Sequence, residues 1–363
     1  MKSIQRPGRL LRHLLGVCLL GILLTGCTIV GPAAIHGGRL AYNEAIIDTD
    51  NQQMLLVVVR NRYGERSNML AVASVTANVR VSTNAGIEVG VGDNDIYRGN
   101  LVPFKAGVIY EENPTISYTP VGGEKYARQL MSPLSVTSLA QLTETLTNPA
   151  PVYFALVSGI NGIYNPDFSS QSSVPDARFI HLVELISELT RAHRLHWVQD
   201  SQHDGRISII IDHYSPEFTV QVDELFSLLD LPAPKTRSSR IVLPVFLAVD
   251  GHGADGIGIS TRSLHDLLEI LSAAVEIPEQ DQTVAISYPP PGLVGKELRV
   301  HYAKTRPEHA SVAVSYRDGW FYIDEKDHTT KQFFRLIATL LSVNIAESTD
   351  KKSAPVLTVP VSR

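Results

Sequence analysis

Two cysteines occur in 363 residues, and both, Cys18 and Cys27, fall within the first 27. From residue 28 onward no disulfide can close a loop, and no zinc site can be built on thiolates. Whatever the chain folds into is held by packing alone. An apolar fraction of 44% supplies enough side chains for a core of ordinary size.

Lys2, Arg6, Arg9 and Arg12 precede an eleven-residue apolar run, Leu14 to Leu24, which ends in Leu24-Thr25-Gly26-Cys27. A membrane-spanning helix needs about 20 apolar residues, so this run is too short. An ordinary secretory signal shares the basic and apolar regions but cuts after small residues, without the cysteine. This order of positive, apolar, small and cysteine resembles a bacterial lipoprotein export signal with its lipobox. The resemblance implies that residues 1–26 are removed and that Cys27 becomes the first mature residue and carries lipid. One acyl chain binds only marginally, each buried CH₂ contributing about 0.8 kcal/mol, whereas two or three anchor durably. Thr28 is not acidic. By resemblance to lipoproteins of double-membraned bacteria, that favours the periplasmic face of the outer membrane over inner-membrane retention.

Removal of residues 1–26 leaves 337 residues, enough for two ordinary domains or one large one. The formal charge of −5 becomes −9, because the removed segment holds four cations and no acid. No stretch is rich in lysine or arginine, which argues against nucleic-acid binding and polybasic membrane docking. The expected partners are the membrane, through the acyl chains, and a protein or glycan of the envelope.

Residues 28–38 read as a Gly/Pro/Ala spacer that reaches at most about 40 Å when extended. Leu40 to Arg62 reads as a helix, with Met54 to Val59 buried deeply and Gly64 as its stop. Residues 70–81 and 87–91 alternate with period two around Thr83-Asn84-Ala85-Gly86, which predicts a turn. Further strand material lies at 108–110 and 115–119, and helices are expected over 124–131 and 135–146. Residues 163–177 contain Asn-Pro, Ser-Ser-Gln-Ser-Ser and Val-Pro, the composition of a linker. Beyond it, helices (179–189, 220–229, 260–275, 329–341) alternate with strands (206–212, 240–249, 297–303). Strands 310–316 and 320–323 form a hairpin through Arg317-Asp318-Gly319. Asp327 or Thr329 would cap the last helix, and 355–361 would close as an edge strand. The predicted class is α+β: mixed β-sheet layers with packed amphipathic helices. The expected division is an N-terminal domain over 39–165 and a C-terminal domain over 176–363.

Several constellations could carry chemistry. Gly251-His252-Gly253-Ala254-Asp255-Gly256 matches G-x-G-x-x-G between a predicted strand and a predicted helix. Against a dinucleotide stand the late helix start at Ser260, the charges of Asp250 and Asp255, and Glu276 at a helix end rather than after a second strand. Asp250 and Asp255, like Asp93-Asn94-Asp95, offer oxygen ligands but lack EF-hand spacing and read more simply as turns. His193, His196, His203 and His213 cluster with Asp200, Asp204 and Asp212, a possible zinc set of which His193 and His196 are the sharpest pair. The interleaved Arg191 and Arg194 oppose a cation, and a helix C-terminus favours histidine without any metal. No metal site and no cofactor is assigned. No G-x-S-x-G or H-E-x-x-H occurs, and Ser348-Thr349-Asp350-Lys351 matches S-x-x-K by spelling only. Ser158-Gly159-Ile160-Asn161-Gly162 reads as a tight corner after the apolar run Val152 to Val157. In the 320–323 strand, Phe321 faces one side and Trp320 with Tyr322 the other. An exposed aromatic face there would suit protein or glycan contact.

Leu40-Ala-Tyr-Asn-Glu-Ala-Ile46, Arg60-Asn-Arg-Tyr-Gly64, Ser158–Gly162, Trp320-Phe-Tyr-Ile323 and Ala354-Pro-Val-Leu-Thr-Val-Pro360 resemble signatures of a group of uncharacterised lipoproteins of proteobacterial type. The resemblance brings no assigned activity. The expected function is that of a membrane-anchored envelope lipoprotein, a non-catalytic scaffold or binding component near the membrane surface. The alternative is a periplasmic hydrolase or metal-dependent enzyme using the histidine cluster or the Gly251–Gly256 loop.

Overall fold

The computed structural model describes residues 30–76, 79–87, 104–112, 115–144, 146, 148–165, 176–200, 206–212, 216–232, 240–248, 256–284, 297–348 and 357–360. The chain is α+β, and its contacts gather into two compact units. One comprises residues up to 50, 71–119 and 355 onward; the other comprises 51–70 and 120–354. These units do not coincide with a 39–165/176–363 division. The 166–175 linker itself lies outside the described residues, but strands on either side of it hydrogen-bond in one sheet.

Helix α1 (Val30–Arg62) is a single 33-residue helix, about 50 Å long at 1.5 Å per residue. It runs straight through the expected Gly/Pro/Ala spacer. Pro32 is tolerated there because first-turn N–H groups have no intrahelical partner. Met54, Leu55, Val58 and Val59 are buried, as the apolar run predicts. The helix stops where expected: Gly64 has φ +68°, and Glu65 N–H donates back to the Arg60 carbonyl.

In the first unit, β1 (Met69–Thr76) forms a three-stranded sheet with β4 (Thr115–Val121) and β14 (Leu357–Pro360), in the order β1-β4-β14. β14 is the expected edge strand, antiparallel to β4. β2 (Val79–Ile87) pairs antiparallel with β3 (Phe104–Glu112). The turn expected at Thr83–Gly86 does not form. β2 continues through it, with Thr83 opposite Val108 and Gly86 opposite Lys105. Pairing with a distant strand overrides local turn composition.

The second unit contains α2 (Glu124–Met131), α3 (Val136–Glu144), α4 (Ala150–Leu156), β5 (Val157–Ile160), β6 (Ile163–Tyr164), α5 (Ala177–Arg191), β7 (Leu195–Asp200), β8 (Arg206–Ile211), α6 (Thr219–Leu228), β9 (Ile241–Leu247), β10 (Ile257–Thr261), α7 (Leu264–Ala273), β11 (His301–Ala303), β12 (Ala310–Tyr316), β13 (Gly319–Asp324) and α8 (His328–Ser348). A six-stranded mixed sheet runs β6-β5-β10-β9-β8-β7, with β9 and β10 parallel and the other pairs antiparallel. Alternation along β8 turns Ile207, Ile209 and Ile211 inward. Ile209 meets Tyr153 of α4, Ile186 of α5 and Leu225 of α6 around a small apolar void with room for about one water molecule. Tyr153 is fully buried, and its hydroxyl accepts from Trp197 Nε1 at 3.1 Å. The opposite face leaves Val198, Val242 and Phe246 exposed. β7 ends the sheet, and its free edge is blocked by Glu144 Oε1, which accepts from Trp197 N–H at 2.6 Å.

Sequence signals explain the helices. Asp176 caps α5, Asp327 caps α8 through Thr330 N–H at 3.0 Å, and Ser263 with Asp266 forms a capping box on α7. The helix expected from Ser260 begins only at Leu264, because Ser260 and Thr261 complete β10. The strand expected over 297–303 is confined to His301–Ala303.

Candidate binding face

The three-stranded sheet β11-β13-β12 separates two faces cleanly. Phe321 and Ile323 point inward and are 1% and 0% exposed. Opposite Phe321 stand Tyr302 and Val314. Tyr302 lies directly over Gly319, where a Cβ would sit 2.3 Å from its ring, so any larger residue has to displace that ring. This packing fixes the central strand and turns the intervening side chains outward.

Trp320 and Tyr322 occupy that outer face two residues apart, about 7 Å along the strand, and both are half-buried. Three of their four cross-strand neighbours are small. Trp320 lies between Ala303 and Ser315, and Tyr322 between His301 and Ala313. The Arg306 guanidinium lies 5.4 Å from the Trp320 ring centroid, and the His301 ring lies 5.3 Å from that of Tyr322. Glu276, just beyond α7, anchors this corner. Its Oε1 lies 3.0 Å from His301 Nδ1, and its Oε2 accepts from Tyr302 N–H at 3.0 Å. The latter bond occupies an N–H on the free edge of β11, which would otherwise be open to an added strand. The outer face therefore carries two half-buried aromatic side chains, with the Arg306 cation beside Trp320 and a His–Glu pair beside Tyr322.

The inward side is locked by a second cluster. Arg317, at the β12–β13 turn with φ +50°, places Cζ 4.3 Å from the Tyr63 ring centroid. Its guanidinium pairs with Glu65 at 3.2 Å and Asp281 at 3.7 Å. Tyr63 donates its hydroxyl to Asp281 at 2.8 Å. Burial, then that bond, pushes the Tyr63 phenol well above its usual range. The Tyr316 hydroxyl and the Arg317 guanidinium donate to Glu65 and hold its carboxyl below the usual range.

The other sequence-predicted positions are placed differently. Cys27 lies outside the described residues, as do His203, His213, Asp93–Asp95, residues 250–255 and 349–351. His193 and His196 are neighbours, with ring centroids 6.5 Å apart. His193 is the left-handed cap of α5 at φ +54°, with Arg194 N–H donating to the Leu189 carbonyl. His196 Nε2 is held 3.1 Å from the His193 carbonyl oxygen. Of the aspartates in that set, Asp212 pairs with Arg240 at 2.6 Å. No group of three or more metal-ligating side chains converges among the described residues. The Gly251–Gly256 loop leads into strand β10, not a helix, so the strand–loop–helix context of a phosphate cradle is absent. Gly256 instead packs on β9, where a Cβ would meet the Pro244 carbonyl oxygen at 2.3 Å.

Ser158–Gly162 forms β5 and a two-residue turn, with φ +42° at Asn161 and +75° at Gly162, the Asn-Gly chemistry of a type I′ hairpin. Asn161 then works as a junction. Its Nδ2 donates to the Leu229 carbonyl at 2.9 Å, and its Oδ1 accepts from Gly258 N–H at 2.7 Å.

The roles of Arg306, Glu276 and Arg317 escaped sequence reasoning. The one legible hint was the small residues at 303, 313 and 315 flanking an aromatic alternation. Comparison with protein-family models, curated proteins and solved structures finds no match to this chain.

Proposed function

We propose that the chain is a membrane-anchored envelope lipoprotein acting as a non-catalytic binding component, and that the Trp320/Tyr322 face receives its partner. The observation that carries this reading is the pair of half-buried aromatic side chains on the outer face of a sheet whose other face packs into the core. Large apolar rings kept at the surface, beside small neighbours, are the composition of a contact surface. Acylation of Cys27 would hold the body at the periplasmic face of the outer membrane. The alternative, a hydrolase or metal enzyme built on His193, His196, His203 and His213 or on the Gly251–Gly256 loop, draws less support. The His196 ring nitrogen is held by a main-chain carbonyl, and the loop joins two strands.

The test is crosslinking in intact envelopes, comparing wild type with a Trp320→Ala/Tyr322→Ala variant. A partner adduct that the variant loses supports the reading. An adduct unchanged in the variant, or none in any growth state, contradicts it.

A further inference from the structure

We propose that an extended segment of a partner protein adds to the free edge of β12 as a further strand of the three-stranded sheet. The proposal rests on the preceding reading that this sheet receives a partner, and it names the partner's form. β12 is an outer strand in the order β11-β13-β12. Two bonds show which of its main-chain groups face outward. Tyr302 N–H points off the β11 edge to Glu276, so the main chain of Phe321, opposite it, turns away from β11 toward β12. Glu325 N–H, on the same side of that chain, donates to the His309 carbonyl at 3.2 Å. Val314 and Tyr316, opposite Phe321 and Gly319, are thereby the residues bonded to β13. Ala313 and Ser315 turn their N–H and C=O groups off the sheet, and among the described residues nothing bonds to those groups.

The other edges of this sheet and of the six-stranded one are managed. Glu144 accepts from Trp197 N–H on β7, Glu276 accepts from Tyr302 N–H on β11, and β6 is two residues long. β12 has no such cover. Ala310-Ser-Val-Ala-Val-Ser-Tyr316 contains no proline and no charged residue, the usual guards of an edge. A bulge between Ala310 and Val312 confines the regular edge to residues 312–316. Within it Ala313 and Ser315 offer alternating donors and acceptors, the pattern that another extended main chain matches.

Side chains decide between a partner and a second copy. A residue placed opposite Ala313 or Ser315 bonds to β12 and turns its side chain to the outer face, the face of Tyr322 and Trp320. The added strand would lie about 10 Å from β13, a gap that a large apolar side chain closes over Ala313 or Ser315 and a small one does not. A second copy paired two-fold about Val314 offers only Ala and Ser there again. Paired about Ala313, it sets Glu308 against the other copy's Asp318, like charges at both ends.

The experiment titrates the full chain in detergent with a capped peptide of alternating phenylalanine and threonine. Affinity is read by fluorescence anisotropy, and the Ala313 and Ser315 amides by hydrogen exchange. The peptide is expected to bind and to slow both amides. N-methylation at each phenylalanine, the residues whose N–H would face β12, is expected to weaken binding at least about tenfold. A peptide of alternating alanine and threonine is expected to bind more weakly than the phenylalanine peptide. Ala313→Pro is expected to weaken binding at least about tenfold with an unchanged unfolding midpoint, because its N–H already faces away from the sheet. Ser315→Lys, which leaves the backbone intact, is expected to weaken it as well. Binding unaffected by N-methylation and by both variants, or no binding at all, would overturn the proposal. Equal binding of the alanine peptide would overturn the large-side-chain component. Slow exchange of the two amides in the free chain would overturn it too: dependence on concentration would show a second copy on the edge, and independence would show the chain's own cover. An envelope adduct lost on Trp320→Ala/Tyr322→Ala but kept in Ala313→Pro would uphold the face as a binding surface while refuting the added strand.

Discussion

The Arg317 guanidinium stacks 4.3 Å from the Tyr63 ring centroid while pairing with Glu65 and Asp281, so one side chain ties the end of α1 to the β12–β13 turn. The contact joins residues more than 250 positions apart and braces the sheet whose other face carries Trp320 and Tyr322. Arg317→Met keeps the stem and removes the charge and the planar stack. The expected loss is about 1–2 kcal/mol of unfolding free energy, with Arg317→Lys intermediate, read from urea midpoints. An unchanged midpoint for Arg317→Met would remove the clamp from the explanation of stability.

The same cluster sets a pH dependence. The Glu65 carboxyl is held below its usual 4.5 by Tyr316 and Arg317. Its contribution is complete above pH 4.5 and is lost as pH falls through the lowered folded value. The Tyr63 phenol is raised above its usual 10.0. Above pH 10.0 the unfolded chain releases that proton first, so stability falls as pH rises further. Urea midpoints from acid to alkaline pH should show both declines. The gap between wild type and Arg317→Met should narrow on the acid side, and a gap independent of pH would count against the Glu65–Arg317 pairing.

Asn161 combines a left-handed backbone with two side-chain junctions to Leu229 and Gly258. Asn161→Ala should cost about 2–4 kcal/mol, adding backbone strain to unsatisfied partners. Asn161→Gly should cost less, because glycine accepts the turn and forfeits only the hydrogen bonds. Equal losses for the two variants in chemical denaturation would show that the turn geometry contributes nothing.

Two glycines differ in what a methyl group would strike. At Gly256 it meets the Pro244 carbonyl oxygen of the neighbouring strand, and at Gly319 it meets the Tyr302 ring. Backbone in a sheet yields less than a side chain. Gly256→Ala should therefore cost about 3 kcal/mol or more and Gly319→Ala about 1–2 kcal/mol, by calorimetry or denaturant. The reverse order would contradict the packing described for β9 and β10.

Acylation at Cys27 has a simple readout. Cys27→Ala should move the protein from the membrane pellet to the soluble fraction, since the acyl chains would be its anchor. Among the described residues no helix is long and apolar enough to cross a membrane. Unchanged fractionation, with no lipid mass on the wild-type N-terminus, would contradict the anchor.

Much of the fold was legible because its signals are periodic and local. Phe179, Leu182, Val183, Ile186 and Leu189 marked α5, and the 310–323 hairpin followed from alternation on both sides of a turn. Legibility failed where distant partners decide. Thr83–Gly86 has turn composition, but pairing with β3 supplies the ladder that keeps it extended. Gly and Pro suggested an irregular spacer at 28–38, yet residues 30–38 continue the helix that runs to Arg62. At the candidate face, the alternation of Trp320, Phe321 and Tyr322 was readable. The Glu276 anchor and the Tyr63–Arg317 stack were not, because no local pattern links residues brought together only by the tertiary fold.

Two faces compete for the role of contact surface: half-buried Trp320 and Tyr322 on the three-stranded sheet, and exposed Val198, Val242 and Phe246 on the six-stranded one. A photo-crosslinking amino acid placed at position 322, and separately at position 242, distinguishes them in intact envelopes. The expected result is an adduct from position 322 that disappears when Trp320→Ala is added, with none from position 242. An adduct from position 242 alone would contradict the assignment of the Trp320/Tyr322 face as the site of binding.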